Sequence, residues 1–152
     1  MDANRIKASI QLVGTSIVDL HINNGFVAYN EMMPGEKSID VAYAVRDIRL
    51  SQDQAKKNGL LDLIISLSAT IDGRTFELHM TMRGLFEIPA ECEDADFKKM
   101  LEINGCAALY SMARASVSSI STQMFTVGNI VLPLVNFIRF HELQETENKE
   151  EK

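Results

Sequence analysis

The residues with chemistry to offer in this 152-residue chain are few and dispersed. His21, His79 and His141 stand far apart with no second histidine at ligand spacing, and neither Cys92 nor Cys106 has a histidine nearby. A zinc site is therefore not expected, and two cysteines make no disulfide framework; both are expected as buried or half-buried free thiols. The sequence holds no phosphate loop, no dinucleotide glycine pattern and no nucleophile elbow. It gives no reason to expect an enzyme, a metal or another cofactor. What the side chains do offer is soft apolar surface. Met32 and Met33 are adjacent in one polar stretch, and Met80 and Met82 alternate in another. Unbranched thioethers repack around unlike partners, although alternating methionine also serves as plain core filler.

A second feature is a run of small residues between Cys106 and Ser119. Read as a helix, it puts Leu109, Met112, Ala113, Val117 and Ile120 on an apolar stripe. Ala108, Ser111, Met112, Ala115 and Ser119 form a smooth flank. Such a flank either faces solvent or lets another subunit approach closely.

Length and composition bound the rest. The chain is one domain by size, with residues 1–144 folded and the charged 145–152 tail expected to be disordered. A net charge of -6 disfavours nucleic acid. No apolar run approaches the ~20 residues of a bilayer span, and the stretch from Met1 to Arg5 lacks a signal-peptide core, so no membrane insertion and a cytoplasmic location are expected.

The elements that must position these residues follow from periodicity. A first strand runs from Ile6 to Ile22 with its even positions mainly apolar, a period of two over an unusual length, and bends at Gly14. A loop from Phe26 to Glu36 carries Tyr29, Met32, Met33 and the turn pair Pro34-Gly35. The second strand shows Ile39, Val41, Tyr43 and Val45 on one face and changes parity near Arg46-Asp47, the mark of a bulge. After a loop from Ser51 to Gly59, Leu61 to Ile71 form a third strand. Asp72-Gly73 is a tight-turn pair, so the fourth strand, Thr75 to Phe86, lies antiparallel to the third. Phe76, Leu78, Met80 and Met82 share one of its faces. Pro89 ends the strands, acidic residues mark a helix start, and Asn104-Gly105 interrupts that helix before the run from Cys106 to about Gln123. Gly128-Asn129 and Pro133 separate a final helix from Asn136 to about Gln144. The pattern predicts an α+β domain, a four-stranded antiparallel sheet with a long and a short C-terminal helix on one face.

The segment Leu109-Tyr110-Ser111-Met112-Ala113-Arg114, with Met124-Phe125, Pro133-Leu134-Val135-Asn136-Phe137 and Gly84-Leu85-Phe86-Glu87-Ile88, resembles the SecB family of protein-export chaperones. The resemblance implies a homotetramer, a dimer of dimers with the long helices between the sheets, that holds unfolded preproteins without ATP. It implies client grooves built by Met32, Met33, Pro34, Phe76, Leu78, Met80, Met82 and Phe140. His21 and His79 align where export members present carboxylates to the motor SecA, which weakens the case for SecA as a partner. SecB-like chaperones that protect an antitoxin are the alternative. A small apolar-ligand carrier, closing a cavity instead of a groove, is the competing class.

Overall fold

A computed structural model describes residues 9–150 except Val27 and Glu31, with side chains as far as Glu147. The Asp72-Gly73 turn sets the sheet. Both residues take positive φ, 51° and 72°, which a two-residue hairpin of this hand demands. It joins β3 (Lys56–Ile71) to β4 (Arg74–Pro89) in a register that sets Leu63 opposite Met82 and Ile65 opposite Met80. β1 (Gln11–Asn24) pairs with β4 and β2 (Glu36–Leu50) with β3, giving the order β1-β4-β3-β2, antiparallel throughout.

One face is apolar and covered; the other is polar. Against the covered face lies a continuous helical rod made of α1 (Asp94–Met100), a π-helical turn (Leu101–Gly105) and α2 (Cys106–Met124). Phe97, Leu101, Cys106, Leu109, Ala113 and Val117 are fully buried along it. α3 (Phe137–Glu150) follows an extended segment, 125–136. The expected α+β architecture is what the chain adopts.

Four expectations are corrected. The even-position rule for β1 fails, because bulges between Leu12 and Gly14 and between Ile17 and Asp19 each flip the parity. Thr15 and Ile17, not Gly14 and Ser16, therefore lie opposite Gly84 and Met82 on the covered face; Ile6 and Ala8 fall outside the described residues. Lys56 to Gly59 is strand, not loop: the Lys57 ammonium is drawn to the Cys92 carbonyl at 2.6 Å and to Asp94 at 2.5 Å. Asn104-Gly105 widens the helix into a π turn without breaking it. A Cβ at Gly105 would lie 2.9 Å from Leu61 Cδ2, so the glycine serves close helix-sheet approach. Finally, the tail is helical as far as Glu150, since its Glu, Gln and Lys residues are good helix formers, and Asn136 Oδ1 accepts the Arg139 amide at the helix start. Glu151 and Lys152 lie outside the described residues.

Candidate functional site

α2 holds the 125–136 segment against the sheet by side chains. Tyr110, Arg114, Ser118 and Ser121 rise three or four residues apart and so share one row of the helix. The Ser121 hydroxyl accepts the Ile130 amide at 2.8 Å, and Ser118 accepts Asn129 Nδ2 at 2.8 Å. Arg114 Nε donates to the Leu132 carbonyl at 2.8 Å, and the Tyr110 hydroxyl donates to the Pro133 carbonyl at 2.9 Å. The segment thus runs extended and antiparallel to α2. From Ile130 to Pro133 its side chains alternate, Ile130 and Leu132 buried, Val131 and Pro133 exposed, and the alternation ends at Leu134, which is exposed.

The loop before β2 is fixed from the other side. Its Tyr29 amide donates to the Val127 carbonyl at 2.9 Å. Phe26, Tyr29, Phe76 and Phe125 pack ring to ring, with centroids 5.5–6.5 Å apart.

Between these two fixed segments and β2 lies a groove of about 340 Å3, walled by Tyr29, Ile39, Leu67, Ala69, Ile130 and Val131. Lys37 stands at its rim, 5.8 Å from the Tyr29 ring centroid. In the groove itself Ile39 and Val131 stay 40 % and 49 % exposed, and Leu134, next along the chain after Pro133, is 84 % exposed. The free edge of β2 has no strand partner among the described residues. Such a surface buries extended apolar segments, and an open edge offers backbone pairing.

The residues expected to bind clients divide. Phe76, Leu78, Met80 and Met82 are core, each at most 4 % exposed, because the rod, the 125–136 segment and the Phe26–Tyr29 loop close over them. Met32 and Pro34 are exposed, Met33 is half-buried, and Met33 lines a second recess of about 440 Å3 with Phe26 and Ile71. Phe140 is half-buried against Tyr43, at 5.8 Å between centroids. Tyr43 lies six residues beyond Lys37 on β2, or about 20 Å at the rise of a strand, so Met33 and Phe140 flank the groove instead of sharing it. Tyr29, Ile39, Ile130 and Val131 were missed as lining. The signal was the apolar run Ile130 to Val135, interrupted only by Pro133 and too short for a core helix.

On the flank of α2, Ser111, Met112, Ala115 and Ser119 are exposed and Ala108 is half-buried. A shallow recess between this flank and β1 is bounded by Ile17, Met112 and Ala115. Ile17 and Leu20 of β1 remain 40 % and 41 % exposed there.

The outer face of the sheet is polar. His21, His79, Ser66 and Asp40 stand opposite one another in a row across all four strands. Beside them Asp62, 2 % exposed, is held by Arg83 at 2.6 and 2.8 Å and by Arg46 at 2.7 Å, and the Arg83 hydrogen bonds keep its carboxyl below the usual range. No group of three or more His, Cys, Asp or Glu that could hold a metal occurs among the described residues. Cys106 is buried, which pushes its thiol up to about 12 and leaves it unreactive. No described helix is long and apolar enough to cross a membrane.

No family model matches the chain, and no curated protein matches it in sequence. Among solved structures, a SecB-like chaperone of Mycobacterium tuberculosis, in complex with a ChAD peptide from the HigA1 antitoxin, superposes with a TM-score of 0.65. The match covers 88 % of this chain and 95 % of that one at 12 % identity. The fold is SecB-like. A Streptococcus agalactiae protein of unknown function also superposes on this chain, with a TM-score of 0.54, 11 % identity and coverage of 82 % of this chain and 97 % of that one. Within this fold, Tyr110 and Arg114 of the resembling segment fasten the 125–136 strand, and Pro133 supplies the carbonyl that Tyr110 holds.

Proposed function

We propose that the chain is an ATP-independent holdase that keeps unfolded polypeptides soluble by burying their apolar segments along the β2 groove. The observation that carries this reading is the solvent-open apolar surface of Ile39 and Val131 in the groove, continued along the chain by Leu134, on a SecB-like fold. An exposed surface of that kind gains roughly 25 cal/mol for each Å2 covered, before ordering costs. In this reading binding draws on apolar burial and does not call on nucleotide or cofactor.

The smooth α2 flank and the half-covered Ile17 and Leu20 support a homo-oligomer, a tetramer built as a dimer of dimers with the α2 helices between sheets. The expected setting is the cytoplasm. A client that is an antitoxin segment is the second reading, favoured by the ChAD-bound relative with the same fold. Hand-off of preproteins to SecA has weaker support, since His21 and His79 stand on the outer face where carboxylates were expected. The test is suppression of aggregation of a chemically unfolded substrate without ATP, paired with native mass spectrometry. A ligand-free tetramer that suppresses aggregation supports the proposal. A monomer carrying a lipid, or a protein without suppression, rejects it in favour of a carrier.

A further inference from the structure

The fold brings together two histidines that stand far apart in the chain. His21 of β1 and His79 of β4 are direct partners across the outer face, His21 exposed and His79 half-buried. Directly opposed residues of an antiparallel pair carry Cβ atoms about 4.5–5.5 Å apart, close enough for both rings to meet one ion. Both line a recess of about 250 Å3 whose other charged lining residues are Asp40 and Glu77, with no lysine or arginine in it. Asp19, two residues before His21, adds a third carboxylate beside them. Its Oδ2 lies 3.7 Å from His79 Nε2, too far for a hydrogen bond. Three carboxylates around two imidazoles favour a positive ion.

A second observation is how His79 is held. Its Nδ1 lies 2.9 Å from the Ser66 hydroxyl on β3, the strand on its other side. With Nδ1–H donating to Ser66, the ring takes the tautomer that leaves the Nε2 lone pair turned toward β1. Metal-bound histidines are oriented in this way, by a hydrogen bond from the nitrogen that does not ligate.

We propose that His21 and His79 bind a divalent transition-metal ion between β1 and β4. Each imidazole supplies one nitrogen, at the ~2.0–2.1 Å usual for zinc. No group of three or more candidate ligands occurs among the described residues, so water fills the remaining positions and Asp19 accepts hydrogen bonds from it. A site of imidazole and water takes Zn2+, Ni2+ or Cu2+ in preference to Mg2+ or Ca2+. Among the described residues β1 pairs with β4 alone, so the ion staples an edge strand to the sheet. The site uses none of the apolar walls of the groove, and it stands or falls independently of the holdase reading.

The test uses the untagged full chain, stripped with chelator, at about pH 7.5. Calorimetric titration with Zn2+ gives one ion per chain, Mg2+ gives none, and Zn2+ raises the melting temperature as a ligand of the folded state does. His21→Ala and His79→Ala each weaken Zn2+ binding roughly tenfold or more and remove that rise, judged against each variant's own metal-free melt. Ser66→Ala weakens binding less than either, because both ligands remain and only the orientation of His79 is lost. The ring-proton resonances of His21 and His79 move with added Zn2+ while those of His141 stay in place. At about pH 5.5 binding weakens, since protons compete for the imidazoles. Absence of Zn2+ binding, or binding that survives both histidine substitutions, overturns the site. Loss in only one of the two variants assigns the ion to a single histidine and overturns the bridge.

Discussion

Arg114 donates from Nε to the Leu132 carbonyl across 2.8 Å, and that bond joins the long helix to the strand that walls the groove. A resemblance in sequence thereby acquires a mechanical meaning. The arginine holds the extended backbone whose alternate side chains, Ile130 and Leu132 inward and Val131 outward, separate core from surface.

Arg114→Ala frees the Leu132 carbonyl and loosens residues 129–133. A charge-assisted bond of this kind is worth about 1.5–3 kcal/mol. The expected outcome is a drop of that size in urea-unfolding stability together with weaker client binding. Ser118→Ala removes a neutral bond from the same row and costs less.

Val131→Asp and Leu134→Asp put charge on the exposed line. Both side chains are exposed, so stability stays within about 0.5 kcal/mol while client affinity falls. Met80→Asp is the contrast. Its side chain is fully buried, so the variant is expected to unfold, seen as loss of the cooperative melt.

How much of this was legible in the sequence differs by element. The Asp72-Gly73 turn, the faces of β3 and β4, and the β2 bulge at Arg46 were readable because each depends on neighbours along the chain. The β1 bulges were not: Thr15 and Ser16 fit either parity, and the choice comes from pairing with β4. Alternation told that Phe76, Leu78, Met80 and Met82 share a face. It could not tell what covers that face; beside the helical rod and the Phe26 loop, part of the cover is a segment some fifty residues downstream, 125–136, fastened by Tyr110, Arg114, Ser118 and Ser121. Asn104-Gly105 read as a break because propensity ignores the sheet that presses on Gly105.

The outer face carries a pH prediction. Arg83 and Arg46 lower the Asp62 carboxyl below its ordinary 3.8. A depressed carboxylate contributes stability that is complete above its unfolded value and is lost as pH falls through the folded one. Acid unfolding of wild type therefore steepens below about pH 4. Asp62→Asn flattens that limb and lowers stability at pH 7; an unchanged acid limb would assign acid sensitivity to other carboxylates.

Ala115→Arg addresses assembly. Ala115 is exposed on the α2 flank beside Ile17, so the substitution leaves the fold intact and, if the flank joins subunits, lowers the mass in solution. Light scattering reads the result, and an unchanged mass assigns the interface elsewhere.

The central claim, that the β2 groove receives unfolded chain, is tested most directly by titrating a fluorescent unfolded polypeptide into wild type and into the Val131→Asp, Leu134→Asp double variant without nucleotide. The account predicts saturable binding to wild type and at least a tenfold loss in the variant, about 1.4 kcal/mol, at unchanged thermal stability. Equal affinity for both proteins would contradict it.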